Sequence, residues 1–134
     1  MNVDGLISMA SRYDAKETID RLESTLRANG AAIFARIDHA TGASEAGQSL
    51  RATELLVFGN PKVGTPLMQS RQTIGIDLPL KALAWEDEAG ATHLSYNDPK
   101  WLAARHGIGR EGDDTLAKMS AMLDALAAKA SGAR

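Results

Sequence analysis

The chain has no cysteine, only two each of tryptophan, tyrosine and phenylalanine, four prolines, no long apolar run and no large excess of either charge. Each absence excludes something. Without cysteine there is no thiol catalysis, no thiolate metal site and no disulfide framework, and the redox compartment is left open. Fifteen basic against seventeen acidic residues give a formal net charge of -2. No basic block is present to neutralise several phosphates together, so nucleic acid is not the expected partner. No apolar stretch approaches the ~20 residues of a membrane span. The start, Met1-Asn2-Val3-Asp4-Gly5, has neither the positive region nor the apolar core of a secretory leader. The expected location is therefore cytoplasmic, with no membrane association.

What is present suits one folded domain. At 134 residues the chain is long enough to bury about two-thirds of the surface its unfolded form exposes, without a metal or disulfide staple. Residues 6–13 read as a first strand. Asp14 and Glu17 stand at capping-box spacing, Ile19, Leu22 and Leu26 form a one-sided apolar stripe, and Asn29-Gly30 supplies a helix stop. A strand over 31–37 follows, with Ile33, Ala35 and Ile37 expected on one side and Phe34 and Arg36 on the other. A short helix is expected around 45–48.

The stretch Thr53-Glu54-Leu55-Leu56-Val57-Phe58-Gly59-Asn60-Pro61-Lys62-Val63-Gly64-Thr65-Pro66-Leu67-Met68 is the most informative in the chain. A buried-strand pattern stops at a glycine turn, and Thr65-Pro66 reads as an N-cap with proline at the first helical position. Residues 67–71 then form one or two helical turns and 72–77 a loop. Pro79 belongs at the start of a strand over 80–86, because proline donates no ladder hydrogen bond. Asp87-Glu88-Ala89-Gly90 is a hairpin loop that returns the chain as an antiparallel strand over 91–96. Asn97-Asp98-Pro99 caps a short helix over 101–106. A last helix, opened by Asp113 or Asp114, carries Leu116, Met119, Leu123 and Leu126 at helical spacing. The expected organisation is one α+β domain over 1–112, an antiparallel sheet with helices on one face. Residues 113–134 are expected as a helix and tail that pack on the domain or on a partner.

Phe58-Gly59-Asn60-Pro61-Lys62-Val63-Gly64-Thr65-Pro66-Leu67-Met68, Asp77-Leu78-Pro79-Leu80 and Tyr96-Asn97-Asp98-Pro99 resemble the domain of unknown function 302 family. Ala31-Ala32-Ile33-Phe34-Ala35-Arg36-Ile37-Asp38-His39-Ala40 and Leu102-Ala103-Ala104-Arg105-His106-Gly107 fit the same pattern, so the resemblance covers about residues 14–108. It implies a TATA-binding-protein-like β-α-β(4)-α fold and a homodimer. The fold name implies no DNA binding, because one fold hosts unrelated functions. The family has no settled activity.

Gly59 and Gly64 have the spacing of the outer glycines of a phosphate-binding loop, but Thr65 and Pro66 stand where its lysine and magnesium-binding hydroxyl belong. Nucleotide hydrolysis is not expected. A weaker reading has free amides at a helix start, with Gly64, the Thr65 hydroxyl and Lys62, holding a carboxylate or phosphate; plain turn and cap structure competes with it. His39, His93 and His106 show no metal-site spacing, so no metal and no cofactor are expected. His39 at a strand end is the histidine expected nearest a pocket, and a solvated sheet face explains His93. Asp98 is a helix cap, whereas Asp77 is freer to meet a ligand. If His39, Asn60, Thr65 and Asp77 converge, they form a polar rim around an apolar cavity, with Tyr96 and Trp101 as an aromatic wall; core packing is the ordinary role of both rings. The favoured reading is a homodimeric module that binds a small apolar or anionic metabolite. One alternative is an enzyme using His39 or His106 as general acid or base with Asp77 orienting it. The other is a structural dimer without ligand.

Overall fold

The computed structural model describes residues 2–133. Five strands, β1 (Leu6–Ser11), β2 (Ala32–Asp38), β3 (Thr53–Gly59), β4 (Leu80–Glu86) and β5 (Thr92–Asn97), form one sheet in the order β1-β5-β4-β3-β2. Every neighbouring pair is antiparallel. Five helices accompany them: α1 (Ala15–Ala28), α2 (His39–Glu45), α3 (Pro61–Ser70), α4 (Pro99–Arg105) and α5 (Asp113–Ser131). The molecule is thus the expected α+β fold, with α1 carrying the chain from one sheet edge to the other.

The first helix follows the capping chemistry of its sequence. The Asp14 carboxylate accepts from the Glu17 amide at 2.8 Å, and Ile19, Leu22 and Leu26 turn inward with at most 3% exposure. On the sheet, alternation sends Leu56 and Phe58 of β3, Ala82 and Ala84 of β4, and Leu94 and Tyr96 of β5 into the same layer. α5 lies beside α1 and closes it with Leu116, Met119, Leu123 and Leu126. Its apolar stripe is therefore buried in its own chain, each large side chain contributing roughly 1.5–3 kcal/mol.

Four local expectations change. The register of β2 against β3 shifts between Ile33 and Ala35. The extra residue puts Arg36, rather than Ala35, on the face of Ile33. Arg36 there meets Glu54 at 2.8 Å and Asp20 at 2.7 Å, tying the edge strand to α1. Second, a helix begins at Pro61 instead of Pro66. Asn60 follows the strand directly and caps Lys62 at 3.0 Å, so it and Pro61 use the same cap-proline chemistry one turn earlier. Pro66 then falls inside α3. Third, α2 starts at His39, before the expected 45–48, because the Asp38 carboxylate caps the Thr41 amide at 2.9 Å. The segment expected as a loop contains a 3-10 turn over Gln72–Ile76.

The hairpin forms as its sequence indicates. Asp87 accepts from the amides of Ala89 and Ala91, and Gly90 takes the left-handed conformation with φ 85°.

Candidate functional site

Two features lie on either side of the segment that joins α3 to β4. The first is a cavity of about 240 Å³ between the β2–β3–β4 end of the sheet and the helices. Phe58 and Leu80 form its floor, Leu26, Met119 and Leu126 reach it from α1 and α5, and Val63, Gly64 and Met68 of α3 close another side. Phe34, lifted out by the bulge and 54% exposed, stands at its mouth with Met122. No side chain with a formal charge lines it. Its polar groups are the side chains of Asn29, Asn60 and Thr65 and the local backbone. Gly64 makes room on this wall: an added Cβ would meet Leu78 at 3.6 Å and Met68 at 3.9 Å.

The expected rim residues divide. Asn60, Gly64 and Thr65 line the cavity, whereas His39, Lys62, Asp77 and Tyr96 do not. Local geometry explains each departure. His39 is the exposed first residue of α2. Tyr96 is 4% exposed within the core, and burial, with Asp124 and Asp98 nearby, pushes its hydroxyl pKa up. Trp101 lies against Gly5, remote from the cavity wall. Lys62 is exposed in the first turn of α3. The amides of that turn do not form a free anion cradle: Lys62 donates to the Asn60 side chain, and Val63 and Gly64 donate to the Asn60 carbonyl at 2.9 and 3.0 Å.

Asp77 belongs to the second feature. It ends the 3-10 turn, one residue before Leu78 and two after Gly75, both of which line the cavity. Its Oδ2 lies 2.5 Å from Nε2 of His106, and Nη1 of Arg105 donates to both carboxylate oxygens at 3.0 and 2.8 Å. The other imidazole nitrogen, Nδ1, lies 2.9 Å from the hydroxyl of Thr73. Burial acts most strongly on Asp77 and pushes its pKa upward, but His106 and Arg105 together outweigh it and hold the group below the usual carboxylate value. The His106 side chain is 8% exposed, while Thr73 faces solvent. Gly107, at φ 73°, ends the α4 segment immediately after His106 and leaves the imidazole on its last turn.

The sequence reading paired Asp77 with a histidine, and His106, not His39, meets it. Thr73 and Arg105 were missed, because hydroxyls and guanidiniums are common and Thr73 lay in a segment read as loop. The methionines Met68, Met119 and Met122 were a usable signal for the cavity, since flexible thioethers often line adaptable apolar sites. The third histidine is elsewhere: His93 stacks on Trp85 with centroids 4.5 Å apart and bonds Asp87 at 2.7 Å. Among the described residues no cluster of three or more acidic or histidine side chains is placed to hold a metal ion.

The model of the family described as "Domain of unknown function DUF302" matches residues 7–126, further into α5 than the 14–108 stretch carrying the sequence resemblance. Two curated relatives, "Fluoride-specific ion channel FluC 1" of Brucella suis biovar 1 and of Brucella abortus biovar 1, are each 49% identical over 115 residues. The matched region is 86% of this chain but 45% and 43% of those proteins, so the chain spans less than half their length. Among solved structures, an uncharacterised conserved DUF302 protein from Bacillus stearothermophilus superimposes with a TM-score of 0.84. It is 19% identical, and the match covers 96% of this chain and 99% of that one.

Proposed function

Because this chain belongs to the DUF302 family, a group defined without a reaction, we propose a function read from its own geometry: a module that binds a small apolar molecule in the cavity between α1, α3, α5 and the sheet. The observation that carries this reading is the lining. A space of about 240 Å³ with no charged side chain and a few polar groups at one end has the composition of a small-ligand site. Of the two ligand classes considered from sequence, this supports the apolar one. An anionic group would find no cation in the wall, and the amides at the start of α3 are already bonded. Asn60 and Thr65 are placed to orient one polar end of the ligand.

The second part of the proposal is a homodimer. The helices that close the core cover one sheet face, while Leu55, Val57, Leu83 and Trp85 alternate onto the other, with Ile37 of the edge strand 42% exposed beside them. These side chains form an apolar surface that a second copy would cover. The proposed location is the cytoplasm. Fluoride conduction is not proposed for this segment. Its match leaves out more than half of each channel protein, and no helix among the described residues is long and apolar enough to cross a membrane. An accessory binding role beside such a channel is compatible with the shared region.

Native mass spectrometry on gently purified protein tests both parts, followed by titration with an uncharged apolar fluorescent probe such as N-phenyl-1-naphthylamine. The expected result is a dimer whose probe signal falls at least tenfold on Met119→Lys, which places a cation inside the cavity. A monomer would remove the dimer, and probe binding unchanged by Met119→Lys in a folded variant would remove the cavity as the site.

A further inference from the structure

We infer that Thr73, His106 and Asp77 form a hydroxyl-activating site capable of acyl transfer, with Thr73 as the nucleophile. This goes beyond the binding reading and does not depend on the cavity being occupied.

The geometry supplies a nucleophile, a base and a group that orients the base. A hydroxyl lies 2.9 Å from one imidazole nitrogen, and a carboxylate lies 2.5 Å from the other. With Nε2–H donating to Asp77, the neutral imidazole presents the Nδ1 lone pair to the Thr73 hydroxyl. Arg105 grips both oxygens of Asp77, so the group that orients the base is itself held in place and ionised. A pair that served only to fasten α4 to the 3-10 turn would need His106 and Asp77. It would not need an exposed hydroxyl on the second nitrogen of a sheltered ring. His93 and Asp87 illustrate the fastening arrangement, where the ring stacks on Trp85 at the hairpin.

The step balances without any further reactant than an ester and water. Thr73 Oγ1 attacks the ester carbonyl, its proton passes to Nδ1 of His106, and the new oxygen–carbon bond forms as the bond to the leaving alkoxide or phenolate breaks. The proton on Nδ1 goes to that leaving group. Water, deprotonated by the same nitrogen, then cleaves the acyl-threonine, giving the carboxylic acid and restoring the Thr73 hydroxyl. Thr73 and His106 touch the reacting atoms, while Asp77 is a positioning residue that acts through His106.

The test uses the full chain and p-nitrophenyl acetate, with the release of p-nitrophenolate followed in time and the acetylated residue mapped by peptide mass spectrometry. One acetyl group on Thr73 and an initial burst are expected. Thr73→Val, nearly isosteric and at an exposed position, should lose the adduct and slow the burst at least tenfold, and Thr73→Ser should retain both. His106→Gln should match Thr73→Val. Asp77→Asn should slow acylation without changing the ester concentration that saturates it, a split that loss of fold does not produce. The inference is overturned if Thr73→Val reacts at the wild-type rate, if the acetyl group maps elsewhere, or if the wild-type chain is not acetylated.

Discussion

Asp77 lies between the apolar cavity and the Thr73–His106 contact, and its charge is under opposing influences. Burial favours the neutral acid, but the bonds from His106 and Arg105 favour the carboxylate and prevail, so its folded-state pKa lies below the usual aspartate value. A carboxylate lowered in this way stabilises the fold above its unfolded-state pKa, and that stabilisation is lost as pH falls through the lower folded value. Asp77→Asn is therefore expected to destabilise the protein at pH 7 by about 1.5–3 kcal/mol, the scale of lost hydrogen bonds to charged groups. The deficit should shrink below about pH 4, as the wild-type group also becomes neutral. Thermal melting of both proteins at pH 7 and pH 3 measures it, and a deficit independent of pH would remove the ionised carboxylate as its source. At this scale the sequence showed which residues were available. It offered His39 or His106 as the partner of Asp77 but could not choose between them, because no local periodicity records a contact across 29 residues.

Among the elements, α3 is where local signals competed. Two cap-proline pairs, Asn60-Pro61 and Thr65-Pro66, lie five residues apart, and the chain uses the first because β3 ends directly against it. Gly64 then sits in a helix, where glycine costs roughly 1 kcal/mol relative to alanine. Its nearest would-be neighbours, Leu78 and Met68, are at ordinary contact distances. Gly64→Ala is expected to raise stability by about 0.5–1 kcal/mol while narrowing the cavity and weakening apolar probe binding. Chemical denaturation and probe titration report the two effects separately, and a stabilised variant with unchanged binding would place the ligand away from this wall. The β2 edge shows a different limit of sequence reading. Strict alternation placed Arg36 opposite Ile33, but a one-residue bulge brings it to the core face, where it pairs with Glu54, itself 8% exposed. An alternation rule carries no signal for the bulge, whereas pairing a buried carboxylate makes it worthwhile energetically. That the Arg36 pKa is raised further, chiefly by its bond to Glu54, follows from the same pairing.

For the whole molecule, the last helix decides whether there is a closed core. Leu116, Met119, Leu123 and Leu126 are each at most 7% exposed, and α5 also fastens to the residue after β1, where the Arg12 amide donates to the Ser131 carbonyl at 2.9 Å. Ending the chain at Gly112 is expected to expose the inner faces of α1 and the sheet. The loss of several buried side chains, each worth roughly 1.5–3 kcal/mol, approaches the total stability of a domain of this size. Circular dichroism should show loss of cooperative melting in the shortened chain, and a cooperative transition would return α5 to the role of an appendage. From the sequence alone came the strand and helix types, the caps at Asp14 and Asp98, the β4–β5 hairpin, the family, and the exclusion of thiol and disulfide chemistry. These are legible because hydrophobic period, capping and turn chemistry act within a few residues along the chain. Tertiary structure alone decided that α5 folds back on its own domain, that the cavity takes Asn60, Gly64 and Thr65 but not His39 or Tyr96, and that Thr73, His106 and Asp77 meet. Such contacts join distant segments, and their positions follow from how the sheet, its bulge and the helices pack together.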